Sequence, residues 1–351
     1  MKNLSTTSFI SQYFAGSLSG NGFINHLDEY LKEIKTVYII KGTPGSGKST
    51  LMKKIASAAE DFGFEADRIF CSSDPLSLDG IIIPPLSFAI VDGTSPHVIE
   101  PSYPLAKETI INTADHIQVE KVKPHFDDIF FHTDEKKKFF SKTRPLLKSA
   151  LILERAKLSF AKEYFDFKKC LGFFEDIIKI EKENSSGFSS RRSLVTFGKN
   201  GYTSLLDKIP FHKAYGLNEN FSTFILDELR NFADRQSLSY VFSPSPLDPS
   251  TMCAIYLTDT KQLFANERFL KKEYITFPKE LCEKNGGIGL IKEKLTFFSQ
   301  TQSLVLDECQ KYISDAMDHH YMLEKIYSKA LNTDSLDCLA RSIIVSIFEN
   351  H

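Results

Sequence analysis

The chain has 351 residues, more than one hydrophobic core usually covers, so two domains are expected. Hydrophobic residues make up 42% of the sequence and charged residues 25%, which is ordinary for a soluble globular protein. The formal net charge of −2 gives no reason to expect nucleic acid or an anionic membrane as a partner.

The first predicted elements are a strand, a glycine-rich loop and a helix. Residues 36–40 (TVYII) are β-branched or aromatic, as expected of a buried strand, and apolar residues recur at helical spacing between Leu51 and Ala59. Residues 42–49 (GTPGSGKS) lie between them and fit the pattern G-x-x-x-x-G-K-[ST] at each fixed position. Such a loop turns backbone N–H groups toward an anion, and the new helix adds the positive end of its dipole. We therefore predict that ATP binds to a phosphate loop, whose residues are Gly42, Thr43, Pro44, Gly45, Ser46, Gly47, Lys48, Ser49 and Thr50.

Mg²⁺ is expected to bind beside this loop. Lys48 adds a positive charge near the β- and γ-phosphates, and the Ser49 hydroxyl is placed to ligate Mg²⁺. Further along the chain, the apolar residues 88–91 end in Asp92. A carboxylate at the tip of a buried strand is the usual Walker B element, so Asp92 is expected to hold the same ion directly or through water.

Candidates for orienting water lie on either side of Asp92. Thr94 and His97 follow it closely, and we include both with Lys48 and Asp92 in the predicted catalytic set. A structural or surface role is the alternative for His97. Asp74 and Asp79 are rivals of Asp92 for the metal or for positioning water, although the dipeptide at 74–75 also fits a plain turn.

Three other segments carry charged or histidine side chains. Residues 132–140 (HTDEKKKFF) are interpreted as the solvated start of a helix, with a phosphate-contacting lid as the alternative. Arg191 and Arg192 fit a basic linker, or an arginine finger that reaches the γ-phosphate. His319 and His320 fall in a predicted helix, where surface or packing roles are expected rather than metal binding.

Segments of the second half resemble segments of the first. Residues 21–23 (NGF) match residues 200–202 (NGY), and residues 49–50 (ST) match residues 222–223. We therefore predict a duplicated domain, with one copy in residues 1–183 and the other in residues 184–351, joined by a serine- and glycine-rich linker at 182–192. A chance similarity between two α/β domains is the alternative.

The second copy lacks the groups that would bind phosphate and metal. The matched pairs are Lys48 with Phe221, Asp92 with Leu257, and Asp74 with Ser245. Glu219 also lies close to Phe221 in sequence, and its negative charge would repel a triphosphate. The second copy is therefore expected to be a degenerate domain used for support, contact or regulation.

The motifs GxPGxGKSTLMKKI, CSSDPxSLDG…IP and AIVDGTxPH resemble a tandem P-loop ATPase family of Gram-positive bacteria, within the P-loop NTPase superfamily. The resemblance covers essentially the whole chain and is most specific in residues 14–101. It implies an α/β fold in which a parallel β-sheet is flanked by helices, here duplicated, and it implies a nucleotide ligand but no pathway. In that family both halves usually carry the phosphate loop, so the second half of this chain departs from the family pattern.

Three functions fit these features. The leading hypothesis is a slow Mg²⁺-dependent ATPase in which ATP occupancy or turnover switches the arrangement of the two halves. The second is a nucleotide or small-molecule kinase, because the phosphate loop resembles nucleotide-kinase loops, although Arg68 is the one arginine in residues 1–143. The third is a non-enzymatic ATP-binding scaffold whose second half docks a protein partner.

A cytoplasmic location is expected, with neither a membrane nor nucleic acid as a partner. The N-terminal residues contain no apolar core of signal-peptide length. The longest apolar run, residues 80–91, is too short to span a bilayer and is broken by two prolines.

Overall fold

The computed structural model of the protein describes residues 10–178, 187–278, 283–284 and 287–348. The chain forms two compact units: unit 1 is made of Met1–Gly16, Asn25–Thr143 and Lys311–His351, and unit 2 of Ser17–Ile24 and Arg144–Gln310. The predicted domain boundary, between residues 183 and 184, lies outside the described residues. Within the described part of the chain, none of the helices combines the length and the apolar character needed to cross a membrane.

Strands and helices alternate in the first half of the chain. Its strands are β1 (Gln12–Phe14), β2 (Gly16–Ser19), β3 (Gly22–Asn25), β4 (Thr36–Lys41), β5 (Asp67–Phe70), β6 (Leu78–Ile83), β7 (Phe88–Asp92) and β8 (Glu108–Asn112). Its helices are α1 (Leu27–Tyr30), α2 (Lys48–Asp61), α3 (Val119–Val122), α4 (Phe126–Lys162) and α5 (Phe167–Ile177). Short 3-10 helices lie at Pro84–Leu86, Thr113–His116 and Lys123–His125.

The second half repeats this alternation. Its strands are β9 (Ser189–Arg191), β10 (Val195–Gly198), β11 (Gly201–Ser204), β12 (Lys213–Leu217), β13 (Tyr240–Pro244), β14 (Met252–Leu257), β15 (Gln262–Asn266) and β16 (Ile275–Thr276). Its helices are α6 (Ser222–Arg235), α7 (Gly287–Ala330) and α8 (Thr333–Phe348), with 3-10 helices at Leu206–Lys208 and Glu267–Phe269.

Unit 1 is built on a six-stranded mixed sheet in the order β1-β5-β6-β7-β4-β8. β6 runs antiparallel to β5 and β7, and the other neighbouring pairs are parallel. The α/β class is confirmed, but the prediction of a parallel sheet was wrong for β6. Residues 84–87, which join β6 to β7, are too few for the crossover that a parallel pair requires, so the chain turns back on itself.

The core of unit 1 joins the sheet to two helices. α2 buries the apolar residues that the helical spacing predicted, among them Leu51, Met52 and Ile55. These side chains belong to one cluster with Ile81 and Ile90 of the sheet and with apolar residues of α8. Burial of this kind contributes about 1.5–3 kcal/mol per large apolar side chain, which fixes α2 and the loop before it against the sheet.

Unit 2 contains a sheet with the same order and the same strand directions. Its order is β9-β13-β14-β15-β12-β16, with β14 antiparallel to both neighbours and the other pairs parallel. The strand register shifts at equivalent places in the two sheets. The shift lies between Ile69 and Phe70 in β5, which pairs with β6, and between Ser243 and Pro244 in β13, which pairs with β14. The shared topology extends the similarity found in the sequence to all six strands.

Two-stranded sheets follow the first strand of each larger sheet in the sequence. They are formed by β2 with β3 and by β10 with β11. The matched segments at 21–23 and 200–202 lie at their turns, where Gly22 and Gly201 have φ values of 104° and 71°. An L-residue with a side chain is strained at such values, which explains why glycine occurs in both turns.

The two long helices, α4 and α7, each contain residues of both units. In α4 the residues up to Thr143 belong to unit 1 and the later ones to unit 2, and in α7 the residues up to Gln310 belong to unit 2 and the later ones to unit 1. Residues 182–186 of the predicted linker lie outside the described part of the chain. The end of that segment was predicted wrongly as linker, because Ser189–Arg191 forms β9, which pairs in parallel with β13.

Candidate functional site

The phosphate loop connects β4 to α2 within unit 1. Gly45 and Gly47 have φ values of 72° and 82°, in the left-handed region that disfavours other residues, and Gly47 is the N-cap of α2. A Cβ atom on Gly42 would collide with the hydroxyls of Ser46 and Thr113. The three glycines of the motif are therefore each required by the backbone or by its neighbours, and the loop curls tightly into the first turn of α2.

Hydroxyl groups hold the base of the loop. The Ser46 hydroxyl lies 2.7 Å from that of Thr113 and 2.8 Å from the carbonyl oxygen of Thr43. The Thr113 hydroxyl in turn donates to the carbonyl of Lys41 over 3.2 Å. Thr113 follows β8, and sequence reasoning missed it because nothing in the motif points to a residue so far along the chain. Its role is to fix the loop against the edge of the sheet.

Lys48 and Asp92 come together at the carboxyl ends of neighbouring strands. β4 and β7 pair in parallel with Ile40 opposite Asp92, and the Lys48 Nζ lies 3.7 Å from Asp92 Oδ2. The two side chains are 14% and 13% exposed, so the pair is mostly buried but still reaches solvent. Lys48 Nζ also donates to the carbonyl of Thr43 over 3.0 Å, which keeps the ammonium folded over the loop.

The remaining predicted residues occupy different places around this pair. Asp92 Oδ1 accepts hydrogen bonds from the backbone N–H and the hydroxyl of Thr94, at 2.8 and 2.6 Å, so Thr94 orients the carboxylate. The Ser49 hydroxyl oxygen accepts from the N–H of Leu78 over 3.0 Å at the start of β6. Thr50 is exposed on α2, and Pro44 is partly exposed in the loop.

The rival carboxylates have other partners. Asp79, on β6, lies with its Oδ2 2.8 Å from His97 Nε2, and both residues are buried. Burial and the nearby Asp79 carboxylate raise the pKa of the Cys71 thiol well above its usual range. Asp74 closes its own turn, accepting from the hydroxyl of Ser77 over 3.2 Å. Asp92 is therefore the member of the three that lies within ion-pair distance of Lys48.

The end of α7 and the start of α8, with the turn between them, pack on the phosphate loop, and we refer to residues 324–336 as the α7–α8 turn. A Cβ atom on Gly45 would collide with the backbone of Glu324, and one on Gly47 with the side chain of Leu336. The turn is fixed beside the loop by hydrogen bonds from Asn332 N to the carbonyl of His116 and from Gln118 N to the carbonyl of Ala330, both 2.8 Å. No sequence signal indicated that these distant residues meet the loop.

The charges around Lys48 extend beyond the motif. A hydrogen bond from His320 lowers the pKa of Glu324, with further lowering from the ammonium groups of Lys48 and Lys136. Burial lowers the pKa of Lys136, and the neighbouring charges of Lys137 and Lys48 lower it further. Among the described residues, Asp92 is the carboxylate that pairs with Lys48, whereas the Glu324 carboxylate lies 3.4 Å from His320 Nε2.

In unit 2 the corresponding positions are occupied differently. The loop between β12 and α6, residues 218–221, is shorter than the phosphate loop at 42–47. Helix register corrects the predicted match of Lys48 with Phe221. Gly47 and Phe221 are the N-caps of α2 and α6, both of 14 residues, so Phe221 matches Gly47 and Ser222 matches Lys48. Phe221 is fully buried, with its ring 5.3 Å from that of Phe165. Unit 2 therefore has a serine where unit 1 has Lys48.

The strand register corrects the other two matched pairs. β15 is the counterpart of β7 and ends in Asn266, so Asn266 rather than Leu257 matches Asp92. The sequence match was wrong because β7 and β14 are both apolar strands that contain the same dipeptide, at 89–90 and 254–255. Likewise Asp248, not Ser245, matches Asp74, since it closes the same turn by accepting from the Ser250 hydroxyl over 2.6 Å.

The polar groups of unit 2 near this place bind to each other. Asn266 Nδ2 donates to the hydroxyl of Ser222 over 3.0 Å. The buried Lys157 pairs with Glu154 over 3.3 Å, and the Arg268 guanidinium lies 4.9 Å from the centre of the Tyr202 ring. The buried cation of this group, Lys157, therefore already has a carboxylate partner.

The arginine and histidine pairs singled out in the sequence have local partners. The Arg191 guanidinium lies 5.4 Å from the centre of the Phe242 ring, and Arg192 donates to the carbonyl of Arg191 over 2.8 Å, both within unit 2. In unit 1, the Nδ1 atoms of His132 and His319 are 2.8 Å apart. The described residues contain no group of three or more histidine, cysteine or acidic side chains placed to hold a metal ion.

Comparisons with protein-family profiles, with curated proteins and with solved structures found no match for this chain. The assignment of a function therefore depends on the residues and the geometry described above.

Proposed function

We propose that the protein binds ATP with Mg²⁺ at the phosphate loop and hydrolyses it slowly, with nucleotide occupancy acting as a switch between the two units. The observation that carries this proposal is the convergence of the loop, Lys48 and Asp92 at the carboxyl ends of two parallel strands. Ligands of α/β proteins bind at this edge of the sheet. The proposal places the protein among the P-loop NTPases.

The residues present fit such a ligand. Gly42, Gly45 and Gly47 let the loop curl tightly where a side chain would collide with neighbouring residues, and the Thr43 hydroxyl oxygen is buried without a protein partner within the described structure. The first turn of α2 adds N–H groups that have no partner inside the helix. Donors of this kind suit a phosphate anion and leave a cation or an apolar ligand without complementary groups.

Each residue then has a defined task. Lys48 would bind the β- and γ-phosphates, and Ser49 and Asp92 would hold Mg²⁺, with Thr94 keeping the Asp92 carboxylate in position. When bound, Mg²⁺ neutralises phosphate charge and makes the terminal phosphate a better electrophile. His97, held by Asp79, is the candidate for orienting water. We expect slow turnover because Arg68, the arginine of residues 1–143, pairs with Glu60 on α2.

Substitution of Lys48 tests the proposal. Lys48→Ala should abolish ATP binding, measured by isothermal titration calorimetry with Mg-ATP, because it removes the cation folded over the loop. Lys53→Ala is the matched control, since Lys53 is an exposed lysine of the same helix. Equal ATP affinity of the two variants would contradict the site.

Product analysis separates the three functions. Release of phosphate from Mg-ATP alone, lost in Lys48→Ala, supports the ATPase. Release of ADP that depends on an added nucleoside, nucleotide or sugar would instead support a kinase. ATP binding without any product would support a scaffold whose second unit docks a partner.

A further inference from the structure

A pair of histidines joins two helices within unit 1. His132 lies on α4 and His319 on α7, and their Nδ1 atoms are 2.8 Å apart, with 5.1 Å between the ring centroids. Both residues are partly exposed, so the pair is not sealed from solvent. The two histidines are 187 residues apart in sequence, so it is the fold that brings them together.

Aromatic contacts fix the two imidazole rings. Seven residues away from the pair on each helix, Phe139 of α4 faces Tyr312 of α7, with 6.4 Å between their ring centroids. Two contacts with this spacing belong to one seam between antiparallel helices. Phe139 also stacks on His319 at 5.6 Å, and Phe131 makes T-shaped contacts with both histidines. The rings are thus held in place before any ligand binds.

The protonation that this contact requires favours a role as ligands. A hydrogen bond between two Nδ1 atoms needs one of them to be unprotonated, so that it can accept. An unprotonated imidazole nitrogen is also the form that ligates Zn²⁺, Ni²⁺ and Cu²⁺. A polar pair at a helix seam costs stability relative to an apolar pair, and a bound ion would offset that cost.

The distance between the nitrogens is close to that of two ligands on one ion. With metal–nitrogen bonds of about 2.0–2.1 Å, two ligating nitrogens lie roughly 3.0 Å apart in octahedral geometry and roughly 3.4 Å apart in tetrahedral geometry. The separation of 2.8 Å therefore has to widen by only a few tenths of an ångström. The donating imidazole moves its proton from Nδ1 to Nε2, so that both Nδ1 lone pairs face the ion and no net proton is released.

We propose that His132 and His319 form a binding site for a divalent transition-metal ion of the Zn²⁺ or Ni²⁺ type, which links α4 to α7 in unit 1. The described residues place no third histidine, cysteine or acidic side chain with this pair, so water fills the remaining positions of the ion. Two protein ligands hold an ion less tightly than the four of a structural zinc site. The ion therefore exchanges, and the link between the helices responds to the concentration of free metal.

Calorimetry of the full-length protein with ZnCl₂ and with NiCl₂ tests the site. The unsubstituted protein should bind an ion at the pair. His132→Ala and His319→Ala should each weaken this binding about 100-fold, because losing a ligand costs no less than losing an outer-shell partner. Titration with MgCl₂ should not distinguish these variants from the unsubstituted protein, since Mg²⁺ prefers oxygen ligands.

Neighbouring histidines supply matched controls. His125→Ala removes a histidine just before α4 that faces Asp128, and His320→Ala removes the neighbour of His319, which faces Glu324. Both variants should keep the affinity of the unsubstituted protein for Zn²⁺ and Ni²⁺.

A second measurement does not depend on how well a variant folds. Zn²⁺ should raise the urea midpoint of the unsubstituted protein above its value in EDTA, because the ion binds the folded pair. Equal metal affinity of His132→Ala and the unsubstituted protein would overturn the inference. Absence of Zn²⁺ and Ni²⁺ binding, or a urea midpoint that Zn²⁺ does not raise, would overturn it as well. None of these results bears on the nucleotide site, which uses other residues.

Discussion

Replacing Gly47 by alanine separates two costs that the structure predicts at the phosphate loop. Gly47 has a φ of 82°, and a Cβ atom there would collide with Leu336 and press on Leu331. Gly63, in the same unit, has a φ of 81° with nothing near its Cβ position, so Gly63→Ala reports the backbone cost alone. An L-residue in this region costs about 1 kcal/mol.

The difference between the two variants measures the packing of the α7–α8 turn on the loop. Overfilling a packed contact costs about 1–3 kcal/mol, so Gly47→Ala should lower the free energy of unfolding by about 2–4 kcal/mol. The lower end applies if the leucine side chains, which are flexible at their ends, move aside. Gly63→Ala should lose only about 1 kcal/mol.

Urea unfolding of the full-length variants, followed by circular dichroism, measures these losses, and titration with ATP measures the effect on the site. Gly47→Ala should also weaken ATP binding, whereas Gly63→Ala should leave it intact. Equal losses of stability in the two variants would show that the α7–α8 turn does not pack on the loop, and the reasoning would be wrong.

Two further predictions concern unit 2. Phe221→Lys should destabilise the protein by about 3–5 kcal/mol, because it buries an ammonium beside Phe165 and removes aromatic packing. Calorimetry with ATP should show no gain in stoichiometry, because Phe221 occupies the N-cap position of α6, as Gly47 does in α2, and a gain would contradict the assignment of unit 2 as degenerate. Burial alone would raise the pKa of Asp248, but hydrogen bonds from Arg155 and Ser250 outweigh it and hold the pKa below the usual value of 3.8. A carboxyl whose pKa is lower in the folded than in the unfolded protein stabilises the fold at pH values above its unfolded pKa, and this stabilisation is lost as the pH falls through its folded pKa. Arg155→Gln should therefore lower the urea midpoint at pH 7, and the two proteins should converge once the pH falls below the folded pKa of Asp248. A difference that persists unchanged at low pH would contradict this assignment.

Local features were predictable from the sequence because neighbouring residues determine them. The helix Lys48–Asp61 was predictable because its apolar residues recur at helical spacing. The tight loop before it was predictable because its glycines permit backbone conformations that other residues rarely adopt. The place of Asp92 at the end of β7 follows from an apolar run that stops at a carboxylate.

Long-range features were not predictable in the same way. The antiparallel direction of β6 follows from its short connection to β7, but only if the two strands are known to be neighbours in the sheet. The contacts of Thr113 and Glu324 with the loop depend on packing between residues far apart in sequence. The match of Asp92 to Asn266 required strand register, because two buried strands of similar composition cannot be distinguished by their residues alone.

The packing of α8 on α2 has a consequence for dissecting the chain. A polypeptide that stopped near its midpoint would contain the phosphate loop and the strands around it, yet Ile343 and Ile347, which complete the cluster around Leu51 and Ile55, would be missing. Synthesis on the ribosome reaches α8 after both sheets, so the apolar face of α2 stays uncovered until Thr333–Phe348 has emerged. Competence to bind a nucleotide should therefore arise only after α8 has been synthesised.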